Sequence, residues 1–181
     1  KTIAEAASMM ANVTHEIDLI SGIYEIRTNR TGAGILQKNL ESLGPITYTN
    51  EEVSYANTIL RESGKPEKGL DGTIKPLRPT IPAQGGSTDV GDVSQVIPVI
   101  SLGATAASKG GPWHSWAVVA CTGMSIGHKG LVYASKALAM TMLDLYKNPN
   151  LIESVKKEFN EKKGDKVYNP RIPPGPPKLI N

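Results

Sequence analysis

The chain is poor in sulfur and in aromatic rings. One cysteine, Cys121, stands among 181 residues, so there is no internal disulfide and no cysteine-based zinc knuckle. A lone thiol fits a reducing compartment, and a cytoplasmic location is the expectation. Aromatic residues make up 5%. No run of about 18 apolar residues is present, so no transmembrane helix is written here and no membrane partner is expected. A dominant charge sign is also missing. Lys and Arg number 20 against 17 Asp and Glu, a net of +3, without the basic stripe of a nucleic-acid binder. The chain opens on Lys1, and no charged region followed by an apolar core marks a signal peptide. Lys1 to Met10 reads as the middle of an amphipathic helix, so the expectation is a chain that begins inside a larger protein. Glycine and proline, at 18 and 13, exceed average usage and predict long turns and loops rather than a helical bundle.

Periodicity divides the chain. Ile3, Ala6, Ala7 and Met10 fall at helical spacing. From Thr14 the period becomes two, with His15, Ile17 and Leu19 on one face, which predicts a half-buried strand of about seven residues. Asn29 precedes a helical pattern (Ile35, Leu36, Leu40, Leu43) that stops at Gly44-Pro45. Thr49 to Arg61 predicts another helix, with Thr49 or Asn50 as its cap. Ser63 to Gly86 holds Pro66, Pro76, Pro79 and Pro82 with five glycines. So long a loop marks a function or a domain connection, and a boundary is placed near residue 80. Beyond it, Val96 to Leu102 reads as a strand buried on both faces. Trp116 to Cys121 reads as a short strand or extended segment. Gly127 to Tyr146 reads as a long helix with a broad apolar face, and Asn150 to Lys162 as a charged helix. The stretch from Gly164 to Asn181, with five prolines, is expected to be extended and wrapped on a surface. There is no internal repeat.

The residues that could carry chemistry are few. His15 lies in the strand pattern and reads as structural or as a surface residue. His114 sits in Gly110-Gly111-Pro112-Trp113-His114-Ser115-Trp116, a stiff loop where either a metal ligand or a carbonyl-bonded histidine fits. His128 opens the long helix and is a possible anion contact through the helix dipole, or simply a residue of the first turn. Asp89 and Asp92 follow a glycine pair, as acids beside a metal or as turn formers. Gly123-Met124-Ser125-Ile126-Gly127 matches G-x-S-x-G, the serine hydrolase elbow. The only later histidine, His128, lies on the same helix turn with no acid between, so a triad is not supported. Gly32-Ala33-Gly34 lacks the rest of a dinucleotide fingerprint.

Taken together, Gly86-Ser-Thr-Asp-Val-Gly-Asp-Val-Ser94, Pro98, Gly103, Pro112-Trp-His-Ser-Trp116 and Ser125-Ile-Gly-His-Lys-Gly130 resemble the C-terminal part of the M20 metallopeptidases. Within them the chain is most similar to the aminobenzoyl-glutamate utilisation group of amidohydrolases, in its B-type subunits. Ser21-Gly-Ile-Tyr24 with Thr28-Asn-Arg30 resembles the second half of that family's inserted lid domain. The tail with Ile172-Pro173-Pro174 resembles the group's C-terminus.

The resemblance implies an α/β fold. Residues 1–80 would be a partial α+β dimerisation or lid domain with linker, and residues 81–181 the C-terminal part of a catalytic α/β domain. It implies hydrolysis of an amide bond in an N-acyl amino acid or aminobenzoyl-glutamate-type substrate, using two divalent metal ions, zinc or manganese. His114 matches the last metal-binding histidine and is the one ligand this chain would supply. Asp89, with Ser87 beside it, matches a supporting position; Thr88 and Val90 replace the family's Glu and Phe. Asn29 matches the asparagine before the lid-domain helix, a possible substrate contact that N-capping explains adequately. The family's His-x-Asp motif is absent, and the single adjacent Glu pair, Glu51-Glu52, opens a helix. One histidine cannot hold a metal that needs about three protein ligands, so the general base and the other ligands are expected upstream. The chain alone is expected to be inactive. The expected partners are the N-terminal remainder of the enzyme, a small amide substrate and a second subunit in a homodimer or heterodimer. The rival expectation is a non-catalytic binding or assembly subunit that provides lid and dimer contacts.

Overall fold

A computed structural model describes residues 1–78, 87–172 and 174–176. Among the described residues seven helices run in chain order: α1 (Thr2–Ala11), α2 (Arg30–Leu43), α3 (Asn50–Glu62), α4 (Val90–Val96), α5 (Trp116–Thr122), α6 (Ser125–Lys147) and α7 (Pro149–Lys163). Three of them, α2, α3 and α7, carry side-chain caps. Asn29 caps α2 through its side chain, and Gly44 closes it with a positive φ of 75°. Thr49 and Glu52 form a reciprocal capping box on α3. Asn148 caps α7, and Pro149 takes its first position, where no amide hydrogen bond is lost.

The core lies where α3, α5 and α6 meet. Ala56, Ile59, Ala117, Cys121 and Ile126 are buried there, with Tyr48, Tyr55 and Leu70 packed around them. The other half of the fold is α2 laid against α6 and α7. Close backbone approach decides two joints. A Cβ on Gly130 of α6 would stand 2.3 Å from the carbonyl oxygen of Thr105, and one on Gly91 of α4 would stand 1.8 Å from that of Tyr24. Only glycine fits at either place.

The α/β expectation is overturned: among the described residues there is no strand. Thr14 to Ile20 forms no regular element and is exposed throughout. Alternation describes a strand only where a neighbour can accept its hydrogen bonds. Further along the same segment, side chains of α4 replace that neighbour. Tyr24 N donates to Asp92 Oδ2 at 3.2 Å, Arg27 N donates to Ser94 Oγ at 2.8 Å, and Gln95 Nε2 donates to the carbonyl of Glu25 at 2.9 Å. In the predicted buried strand Val96 to Leu102, Val96 ends α4, Ile97 caps it by donating its N–H to the carbonyl of Val93, and residues 98–102 form no regular element. Trp116 to Cys121 is α5, a helix; periodicity cannot tell so short an apolar run from a strand. The described part of the chain is thus helices joined by long irregular connections, whereas glycine and proline suggested long turns and loops rather than a helical bundle. The boundary near residue 80 lies outside the described residues, as do Gly85, Gly86 and Pro173. No helix among the described residues is long and apolar enough to cross a membrane.

Candidate functional site

His114 occupies the loop before α5. Gly110 turns the chain with a φ of 77°, Gly111 N donates to the carbonyl of Ser108 at 3.2 Å, and Ser115 Oγ donates to the carbonyl of Pro112 at 2.6 Å. This frame places His114 itself in the left-handed region, φ 56°, where few residues other than glycine are found. The residue is exposed, between exposed Trp113 and Trp116. No hydrogen bond or ion pair within the chain engages its ring among the described residues. An imidazole with both nitrogens open is compatible with one metal-ligating role. The rest of such a site is not here: among the described residues no three of His, Cys, Asp and Glu stand close enough to hold an ion.

The other predicted residues lie apart from it. Ser87 and Asp89 are exposed at the entry to α4, and the Asp89 side chain makes no capping bond. Asp92, its neighbour in the motif, is engaged structurally: it accepts Tyr24 N and the Tyr168 hydroxyl, the latter at 2.9 Å. That carboxylate raises the Tyr168 hydroxyl pKa above the usual tyrosine range. Asn29 is buried, its Oδ1 accepting Gly32 N and its Nδ2 donating to the carbonyl of Val155, both at 2.8 Å. Beside it Glu158 of α7 accepts Arg30 N at 2.8 Å and Thr31 N at 2.6 Å. The amides at the start of α2 therefore already carry an anion from within the chain. His128 is exposed on the first turn of α6. It lines an open cavity of about 490 Å³ with Pro45, Ile46, Lys129, Val132 and Lys136.

Beside that cavity stands a cluster that motif reading missed. Glu52 Oε1 accepts the Ser125 hydroxyl at 2.6 Å, and Oε2 accepts Lys129 Nζ at 2.7 Å and Thr49 N at 2.8 Å. The Lys129 hydrogen bond, then the Ser125 hydroxyl and the Thr49 amide, hold the Glu52 carboxyl at about 2, below the ordinary 4.5, against the opposing pull of burial. A carboxylate so acidic is a poor base for activating Ser125 near neutral pH. Ser125 also follows a helix, α5, whereas the serine elbow needs a strand before it. The capping box Thr49–Glu52 was readable as a local pattern; its link to Ser125, 73 positions away, was not. Asp71 is a similar hub, with Thr73, Lys75 and Lys109 holding its carboxyl well below the usual carboxylate range.

Sequence similarity gives the class first: the chain is a homologue of a hydrolase subunit. The particular relative is the B-type subunit of p-aminobenzoyl-glutamate hydrolase from Escherichia coli (strain K12), with 27% identity over 196 aligned positions. The match covers 94% of this chain but 41% of the relative's length. No family model and no solved structure matches.

Proposed function

We propose that the chain is the C-terminal portion of a metal-dependent amide hydrolase acting on p-aminobenzoyl-glutamate or a related N-acyl amino acid, and that His114 supplies one metal ligand. The observation that carries this reading is the similarity to the hydrolase subunit along 94% of the chain. The exposed, unengaged imidazole of His114 supports it. Asp89 and Ser87 would support the site, and the remaining ligands and the general base would come from polypeptide beyond these residues. Two zinc or manganese ions held there would polarise the scissile carbonyl and make water nucleophilic at neutral pH.

The test is metal content and hydrolysis of p-aminobenzoyl-glutamate by the native assembly that contains this chain, purified without chelator. About two ions per catalytic unit are expected. His114→Ala is expected to remove one of them and to lower kcat by at least ~100-fold. Two ions retained with full activity would remove His114 from the site. The second reading, an assembly subunit without catalysis, draws on the absence of a three-ligand cluster among the described residues. An assembly with neither metal nor hydrolysis would favour it.

A further inference from the structure

A second charged cluster lies beside the His114 loop. A cavity of about 330 Å³ opens between the loop 103–111, the start of α5 and the segment around Asp71, within the usual size range of small-molecule sites. The loop reads Gly-Ala-Thr-Ala-Ala-Ser-Lys-Gly-Gly, and each of its residues lines the space. Lys109 alone among them carries a long side chain, so the wall leaves open what bulkier residues would fill. Trp113 lines the same cavity, and His114 is the next residue. The proposed metal ligand therefore stands one residue from the cavity wall.

The charged end is built on Asp71. Its Oδ1 accepts Thr73 N at 3.2 Å and Thr73 Oγ1 at 2.5 Å. Its Oδ2 accepts Lys75 Nζ at 2.9 Å and Lys109 Nζ at 3.1 Å. These bonds take up the acceptor sites a carboxylate has, whereas each ammonium carries three donors. Two ammonium groups thus stand side by side on one oxygen, with one positive charge in excess. Like charges so close repel each other, and a second carboxylate between them would relieve that repulsion and take up open donors. The frame beneath is fixed. Lys109 N donates to the carbonyl of Gly69 at 2.9 Å, Ile46 N to that of Gly72 at 3.0 Å, and Thr105 Oγ1 to that of Asp71 at 2.5 Å. The Lys75 and Lys109 side chains are 64% and 53% exposed, so a solute reaches both. Ion pairs so exposed contribute little to stability.

We propose that this cavity is the subsite for the acidic amino acid of the substrate, whose side-chain carboxylate bridges Lys75 and Lys109, and that Lys109 selects glutamate over glutamine. The proposal rests on the proposed function, which supplies the amide substrate and puts His114 at the bond to be cut. Asp71 is a positioning residue: it orients the two ammonium groups and touches no substrate. A neutral amide in place of the carboxylate would lose the charge-assisted part of the contact.

The test is Lys109→Met in the native assembly that contains this chain, beside Lys109→Arg and Lys157→Met; Lys157 is exposed on α7 and serves as the control. Hydrolysis of p-aminobenzoyl-glutamate and of p-aminobenzoyl-glutamine is followed, with kcat and KM read separately. Lys109→Met is expected to raise KM for the glutamate substrate about 10–100-fold, with kcat for it and KM for the glutamine substrate unchanged. Lys109→Arg is expected to keep most of the preference for glutamate, and Lys157→Met all of it. Equal changes on both substrates, or none on either, would overturn the proposal, and hydrolysis by the unaltered assembly would leave the functional reading standing. Binding of free glutamate is measured by calorimetry on the same preparations. If the unaltered assembly hydrolyses neither substrate, the functional reading fails and this binding decides. Glutamate affinity that is lost in Lys109→Met would support the subsite; affinity absent or unchanged would overturn it.

Discussion

Glu52 and Glu158 each hold a helix end and a lysine at once. Glu52 closes the capping box of α3 while pairing with Lys129 of α6. Glu158 accepts the first amides of α2 while pairing with Lys162 at 2.6 Å. For Glu158, burial pushes the carboxyl pKa upward, but Lys162, Thr31 and the amides of Arg30 and Thr31 outweigh it and hold it at about 2. Both groups therefore have folded values below their ordinary 4.5. A depressed carboxyl stabilises the fold fully above its unfolded value, and the contribution is lost as pH falls toward the folded one. The urea midpoint should stay level from neutral pH to about 5 and drop between about 4.5 and about 2. Glu52→Gln should flatten part of that drop. At pH 7 it should cost about 1–3 kcal/mol, because Lys129 and Ser125 lose a charged acceptor. An unchanged acid profile in this variant would mean that the Glu52 contacts do not form in solution.

At the scale of elements, close approach matters more than composition. Gly130→Ala should force α6 away from the carbonyl of Thr105 and cost about 1–3 kcal/mol by chemical unfolding; a neutral result would mean that the 104–107 segment is free to shift. The same scale shows what the sequence could reveal. Helices α2 and α3 were legible because Asn29, the Gly44-Pro45 stop and the Thr49 cap are local chemical statements, and α7 was legible as a charged helical stretch. Helix α6 was legible because its apolar positions recur over 23 residues. The strands were misread for a physical reason. Ile17 and Leu19 alternate as a strand would, but pairing is a property of a neighbour that this chain's described residues do not provide. The candidate site fared similarly. His114 stood out through its stiff loop, while the Glu52–Ser125–Lys129 cluster depends on a meeting of α3 with α6 that no local pattern records.

Over the whole molecule, the first half of the chain is organised by the second. The α2 N-terminus takes two of its hydrogen bonds from Glu158, 127 and 128 positions away, and Asn29 reaches Val155, 126 positions away. Long-range closure of this kind costs loop entropy before it returns anything. Glu158→Gln should therefore act late on the folding path, speeding unfolding with little change in the refolding rate; a matching slowdown of refolding in stopped-flow measurements would place the α2–α7 joint in the folding nucleus instead. Biosynthesis meets the same separation in time. Translation runs from the N-terminus, so α2 leaves the ribosome more than a hundred codons before the residue that ties down its first turn. Throughout that interval the nascent segment carries open amides and a Leu36 that its later partners have yet to cover, the kind of transient exposure that makes folding intermediates prone to aggregate.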